Sequence, residues 1–94
     1  MAVHMQVVNV FGVPAYDPVT PQVVAPFQGK SVLVILEDLL EDAYVSLDGE
    51  HDHAHLVPGT PAAGIVFDQP VSKVWLRRGV VGITPTNVQV TITD

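Results

Sequence analysis

The run His51-Asp52-His53-Ala54-His55 places three imidazoles at alternate positions, with carboxylates close by at Asp48, Glu50 and Asp52. On a β-strand successive side chains alternate between faces, so His51, His53 and His55 would share one face. Three nitrogen donors and an open fourth position would suit zinc or iron. A loop would scatter them. The run follows Asp48-Gly49 and precedes Pro58-Gly59-Thr60-Pro61, both strong turn signals. The weight of expectation therefore falls on a polar loop over 51–61, its imidazoles solvated or hydrogen-bonded, with a metal site as the lesser reading.

Other chemistry finds less support. Glu37, Asp38, Glu41 and Asp42 surround Leu39 and Leu40, which reads as an exposed acidic turn or one helical turn. Ser31, Ser46 and Ser72 fall inside predicted strands without glycine-flanked elbows, and there is no cysteine. Gly79-Val80-Val81-Gly82 precedes neither a helical pattern nor Lys-Ser/Thr, so it is not a phosphate cradle. The expectation is a protein that is not an enzyme and calls for no cofactor.

A second constellation is Val71-Ser72-Lys73-Val74-Trp75-Leu76-Arg77-Arg78, which holds the single tryptophan and three of the four lysines and arginines. If Val74 and Leu76 point inward, Lys73, Trp75 and Arg77 share the opposite face. Trp and Arg are enriched among binding hot spots, and a positive strand would complement an acidic partner or the Glu37–Asp42 segment of another copy. Lys73, Trp75, Arg77 and Arg78 are thus expected at an interface. The plainer alternative is a solvent-facing sheet edge whose long aliphatic stems cover the indole. Three prolines within 14–21 stiffen the chain there, and a pre-stiffened segment carrying Tyr16 and Pro18 loses little entropy on docking to a neighbouring subunit.

These residues need a scaffold, and 94 residues predict a single domain with a modest core. Hydrophobic residues make up 48%, while eight prolines and seven glycines predict many turns and no long helix. The abundance of valine favours strands. A formal net charge of −6 opposes binding to nucleic acid. The N-terminus lacks the basic and apolar regions of a secretory signal, and the longest apolar run, Val32 to Leu36, is far short of the roughly 20 residues that span a membrane. Without disulfides, stability must come from packing or from association with other subunits.

Expected strands are 5–13 (or an extended arm), 22–27, 31–36, 43–48, 64–67, 71–78 and 87–93. Ser31–Leu36 is apolar on both parities and predicts a central strand covered on both faces. In 43–48, Ala43, Val45 and Leu47 should face inward; in 87–93, Val88, Val90 and Ile92 alternate with Gln89, Thr91 and Thr93. Together they predict an all-β fold, a small antiparallel β-sandwich or barrel of six to seven short strands. Residues 1–28 would form an extended N-terminal arm and Pro-rich loop, and 29–94 the sandwich core.

Two superficial likenesses attach to the histidines. The run resembles the first motif of cupins, but no acidic ligand follows and no histidine lies beyond His55. It also resembles the His-X-His tips of phage membrane-piercing spikes, where only His51-His53 or His53-His55 would match. A broader resemblance covers residues 43 to 93. Val45-Ser46-Leu47-Asp48-Gly49, His53-Ala54-His55-Leu56 and Val71-Ser72-Lys73-Val74-Trp75-Leu76-Arg77 are together similar to small β-sandwich virion accessory proteins of tailed bacteriophages.

That resemblance implies a non-enzymatic structural protein of a phage particle, decorating or cementing the capsid, or a head-fibre, neck or tail component. Its partners would be the major capsid protein or other virion subunits, and sister copies in a homo-oligomer. It would reside in the virion, assembled in the host cytoplasm, with no nucleic acid or membrane partner. The alternatives are a host-surface carbohydrate-binding module, with Trp75 and Tyr44 stacking on sugar rings, and a metal-binding β domain using His51, His53 and His55.

Overall fold

Val88, Val90 and Ile92 alternate with Gln89, Thr91 and Thr93, and that period of two buries the first set fully and leaves the second half-exposed. The same rule sorts Val32, Val34 and Leu36 inward from Ser31, Leu33 and Ile35. The computed structural model describes residues 2–37, 41–57, 64–79 and 86–94. Among them run eight strands: β1 (Val3–Asn9), β2 (Val23–Gly29), β3 (Ser31–Leu36), β4 (Ala43–Ser46), β5 (Ala54–Leu56), β6 (Gly64–Phe67), β7 (Val71–Arg78) and β8 (Asn87–Thr93).

They form two four-stranded sheets, ordered β1-β8-β3-β6 and β2-β7-β4-β5, with every neighbouring pair antiparallel. The fold is the expected all-β sandwich. Val32, Val34, Val88, Val90 and Ile92 from the first sheet meet Val23, Val45, Val71, Val74 and Leu76 from the second. Each such side chain contributes roughly 1.5–3 kcal/mol by leaving water, which matters in a small chain without disulfides.

Three expectations are corrected. The strand count is eight because Ala54–Leu56, inside the stretch read as loop, pairs with β4 through Ala43↔Leu56, Tyr44↔His55 and Val45↔Ala54. The first 28 residues are no arm, since β1 pairs along its whole length with β8 and β2 enters the other sheet, while Val10, Val23 and Ala25 are part of the core. β3 is central in its sheet but buried on one face only, because Leu33 and Ile35 lie on a side over which no second layer packs among the described residues. Residues 38–40 of the acidic stretch 37–42, the breaker at 58–61 and residues 80–82 of the interruption at 79–82 lie outside the described residues.

Residues 14–21 leave the ladder between β1 and β2. Arg78 N–H donates to the Val13 carbonyl at 2.8 Å just before this excursion. Just after it, the side-chain amide of Gln22 donates to the Leu76 carbonyl at 2.7 Å and accepts from Leu76 N–H at 3.0 Å, standing in for a strand backbone. The excursion lies over the outer face of β7, and it builds the site described next.

Candidate functional site

Register places His55, Tyr44 and Arg77 side by side across β5, β4 and β7 on the outer face of the second sheet. The His55 ring stacks on Tyr44 with centroids 4.2 Å apart and 3° between planes. The Arg77 guanidinium sits 3.8 Å from the Tyr44 centroid. Two groups so close cannot share one face of a ring, so Tyr44 is sandwiched between them. Tyr16, from the 14–21 excursion, extends the stack with its centroid 5.6 Å from Arg77.

Asp52 closes this stack. Its carboxylate receives Arg77 Nε at 3.1 Å and Nη2 at 2.7 Å, the two-pronged geometry that suits guanidinium best, and also accepts the Tyr16 hydroxyl at 2.5 Å. Arg77 holds the Asp52 carboxyl below its ordinary range, and Asp52 in turn raises Arg77. Partial burial, reinforced by the adjacent carboxylate, holds the Tyr16 phenol above its usual range. At the far end His55 Nε2 lies 2.5 Å from Asp42.

Trp75 shares the face with Lys73 and Arg77, as alternation predicts, but it is only 7% exposed. The expected exposed indole is therefore a buried one. Its Nε1–H donates to the Asp17 carbonyl at 2.9 Å, and Gly49 and Pro18 close over it. Gly49 has φ +81, and a Cβ there would stand 2.9 Å from Trp75 Cε2 and 3.1 Å from Pro18 Cα. Only glycine meets both demands. Tyr16 is half-buried against Arg77 and Asp52 of its own chain, whereas Pro18 stays exposed. Of the residues expected at an interface, Lys73 is exposed, Arg77 and Arg78 are half-buried, and Trp75 is enclosed.

The three candidate metal ligands are not brought together. His51 Nδ1 lies 2.9 Å from Asp48, whose carboxylate also accepts N–H groups of Glu50 and His51. Those backbone donors and the imidazole hold Asp48 well below the carboxylate range, and Asp48 raises His51. His53 Nδ1 accepts Leu47 N–H at 3.0 Å, so the neutral ring carries its proton on Nε2 and has no second lone pair to offer. His55 belongs to the Tyr44 stack. His51 and His53 face the same Asp48 oxygen at 2.9 and 4.0 Å while His55 lies apart on Tyr44, and among the described residues no group of three His, Asp or Glu side chains is placed to hold an ion.

An open depression of about 410 Å³ lies beside this cluster, lined by Pro14, Ala15, Tyr16, Gly49, Glu50, Asp52 and Arg77. Three of its polar groups are spent on one another, since the Asp52 oxygens take Arg77 and Tyr16 and the Arg77 guanidinium lies on Tyr44. The cluster works as a latch that clamps the 14–21 excursion and the 48–52 turn onto β7. Sequence reasoning missed Asp17, Gln22 and Asp52 as parts of it. No periodic pattern marks such residues, since their partners lie far away in the chain.

The outer face of the first sheet is the opposite case. Register groups Val3, Met5 and Val7 of β1, Gln89, Thr91 and Thr93 of β8, Ser31, Leu33 and Ile35 of β3, and Val66 of β6 on that side. No strand residue on it is charged. Val3, Met5, Val7 and Val66 are 51–62% exposed there, with Leu33 and Ile35 half-buried between them. One outer face is finished by the chain's own loops, and the other is left uncovered among the described residues. Searches of family models, of curated proteins and of solved structures find no match to the chain.

Proposed function

We propose that the chain is a non-enzymatic structural protein of a phage particle, decorating or cementing the capsid through subunit contacts. The observation that carries the contact reading is the uncharged outer face of the β1-β8-β3-β6 sheet, with Val3, Met5, Val7 and Val66 exposed around Leu33 and Ile35. Apolar surface of that kind on a small domain marks a place where another molecule packs. The phage context rests on the strand motifs at 45–49, 53–56 and 71–77. The side chains that looked most chemical support the same reading from the other direction, because the Arg77, Asp52, Tyr44 and histidine groups are consumed in holding loops to the sheet.

A sugar-binding module built on Trp75 and Tyr44 has less support. The indole is enclosed, and both faces of the Tyr44 ring are occupied. The test is co-sedimentation of the full chain with empty shells of the particle's main shell protein. Wild-type chain should pellet at fixed stoichiometry. Val66→Asp, which puts a charge on the uncovered face far from the latch, should weaken binding at least tenfold with an unchanged melting temperature. Equal binding by wild type and Val66→Asp would remove this face as the contact, and no binding by wild type would remove the capsid role.

A further inference from the structure

Of the four sheet edges, three are blunted. β5 has three residues, β6 has four, and β2 carries Pro26 and a break in register between Val24 and Gly29. The fourth, β1, is seven residues long and contains no proline, lysine, arginine or carboxylate. Proline, charge and shortness are the usual devices that stop an edge from pairing with another chain. β1 has none of them.

The phase of its ladder shows what the edge offers. Val10 N–H bonds the Thr86 carbonyl at 2.8 Å and Asp94 N–H bonds the Ala2 carbonyl at 3.1 Å, both on the register that sets Val3 opposite Thr93. Bonded pairs alternate in an antiparallel ladder, so the even-numbered residues of β1 turn their backbone groups to β8. Val3, Met5 and Val7 turn theirs outward. The same three residues are 56%, 62% and 51% exposed.

We infer that this edge is the contact between two copies of the chain, joined antiparallel about a two-fold axis through Met5. This rests on the reading of the protein as one that works by subunit contact, and it names the first partner as a second copy. The outward positions Val3, Met5 and Val7 are all apolar, so the row is complementary to itself, as an isologous contact needs. Met5 meets its own counterpart, and Val3 and Val7 meet each other, so three facing pairs exchange six N–H···O bonds with apolar neighbours throughout. His4 and Gln6, on the inner side of β1, fall opposite one another across the joint. No fixed charge meets another, although each chain carries −6. The product is a continuous eight-stranded sheet whose uncharged outer faces run together.

Sedimentation of the full chain up to about 1 mM tests this, alongside cysteine variants made in a chain that has no native cysteine. Wild type should dimerise reversibly. Met5→Pro removes one outward donor per copy without touching the β8 ladder, and should weaken the dimer about 30-fold, the loss of two backbone bonds, with an unchanged circular dichroism spectrum. Met5→Cys should oxidise to a covalent dimer, because Cα atoms of a bonded pair stand about 5.5 Å apart. Val3→Cys alone should not, whereas Val3→Cys with Val7→Cys should. A wild type that stays monomeric, a dimer indifferent to Met5→Pro, or equal crosslinking by Val3→Cys and Met5→Cys would overturn the inference. If Met5→Pro does not fold, the cysteine pattern decides alone. A monomer that still binds shells defeats the dimer but not the capsid role, and a dimer that ignores shells does the reverse.

Discussion

Replacing Trp75 by alanine separates a buried anchor from an interface hot spot. The indole is 7% exposed, packed by Pro18 and Gly49, and its Nε1–H is bonded to the Asp17 carbonyl. Removing a buried tryptophan costs about 3–5 kcal/mol, of which the lost hydrogen bond accounts for about 1. A chain of this length is stable by roughly 5–14 kcal/mol, so the variant should lose about a fifth or more of its stability. Each kcal/mol is worth about 4–8 °C of melting temperature at this size, so the midpoint should fall by at least about 12 °C. Urea unfolding followed by far-ultraviolet circular dichroism measures the cost without needing the indole as reporter. Trp75→Phe keeps one six-membered ring but loses the second ring and its N–H, and should cost less than Trp75→Ala, about 1–3 kcal/mol. Should Trp75→Ala unfold within about 0.5 kcal/mol of wild type while losing its partners, the tryptophan would be a contact residue and the enclosure drawn from its packing would be mistaken.

Two more consequences follow from the second sheet. Gln22→Ala removes the amide that serves both backbone groups of buried Leu76, and should cost about 2 kcal/mol by urea unfolding; a change under about 0.5 kcal/mol would mean that water replaces the amide without loss. The Asp52 carboxyl is held low by Arg77, so the stability it lends is full above its unfolded value near pH 4 and is lost as pH falls through its lower folded value. The stability gap between wild type and Asp52→Asn should therefore be flat above about pH 5 and narrow on acidification, and a gap independent of pH down to about 2 would refute the ion pair.

Strand parity was readable wherever valine or isoleucine alternated with threonine or glutamine, as in β8, because each residue there has one wet and one dry side. Parity also put Lys73, Trp75 and Arg77 on one face correctly. It carries no information on whether a distant segment covers that face. The cover on Trp75 comes from Asp17, 58 positions away, and nothing local to the tryptophan announces it. β1 misleads for a related reason. Its apolar Val3, Met5 and Val7 face outward while His4 and Gln6 face inward, where Gln6 donates to the Gln22 carbonyl at 3.0 Å. Hydrophobicity alone would have turned that strand over. β5 escaped because three residues, two of them inside the histidine run, leave no period to detect.

The two outer faces of this sandwich were made differently, and the energetics of the uncovered one bear on how such a protein would act. In the edge-to-edge pair, six half-exposed side chains of Val3, Met5 and Val7 from two copies gain roughly 0.5–1 kcal/mol each, and six backbone bonds gain about 1 each. That sum, about 9–12 kcal/mol, is set against a rigid-body cost of about 4–15. The lowest cost leaves at most about 8 kcal/mol and the highest leaves none, so the free dimer is at best micromolar and most copies at low concentration stay single. Two copies held next to each other on a shell experience effective concentrations near millimolar, enough to complete the same joint without any new contact. Under the proposed capsid role, an edge of this strength would stay open during synthesis and close once copies are held side by side.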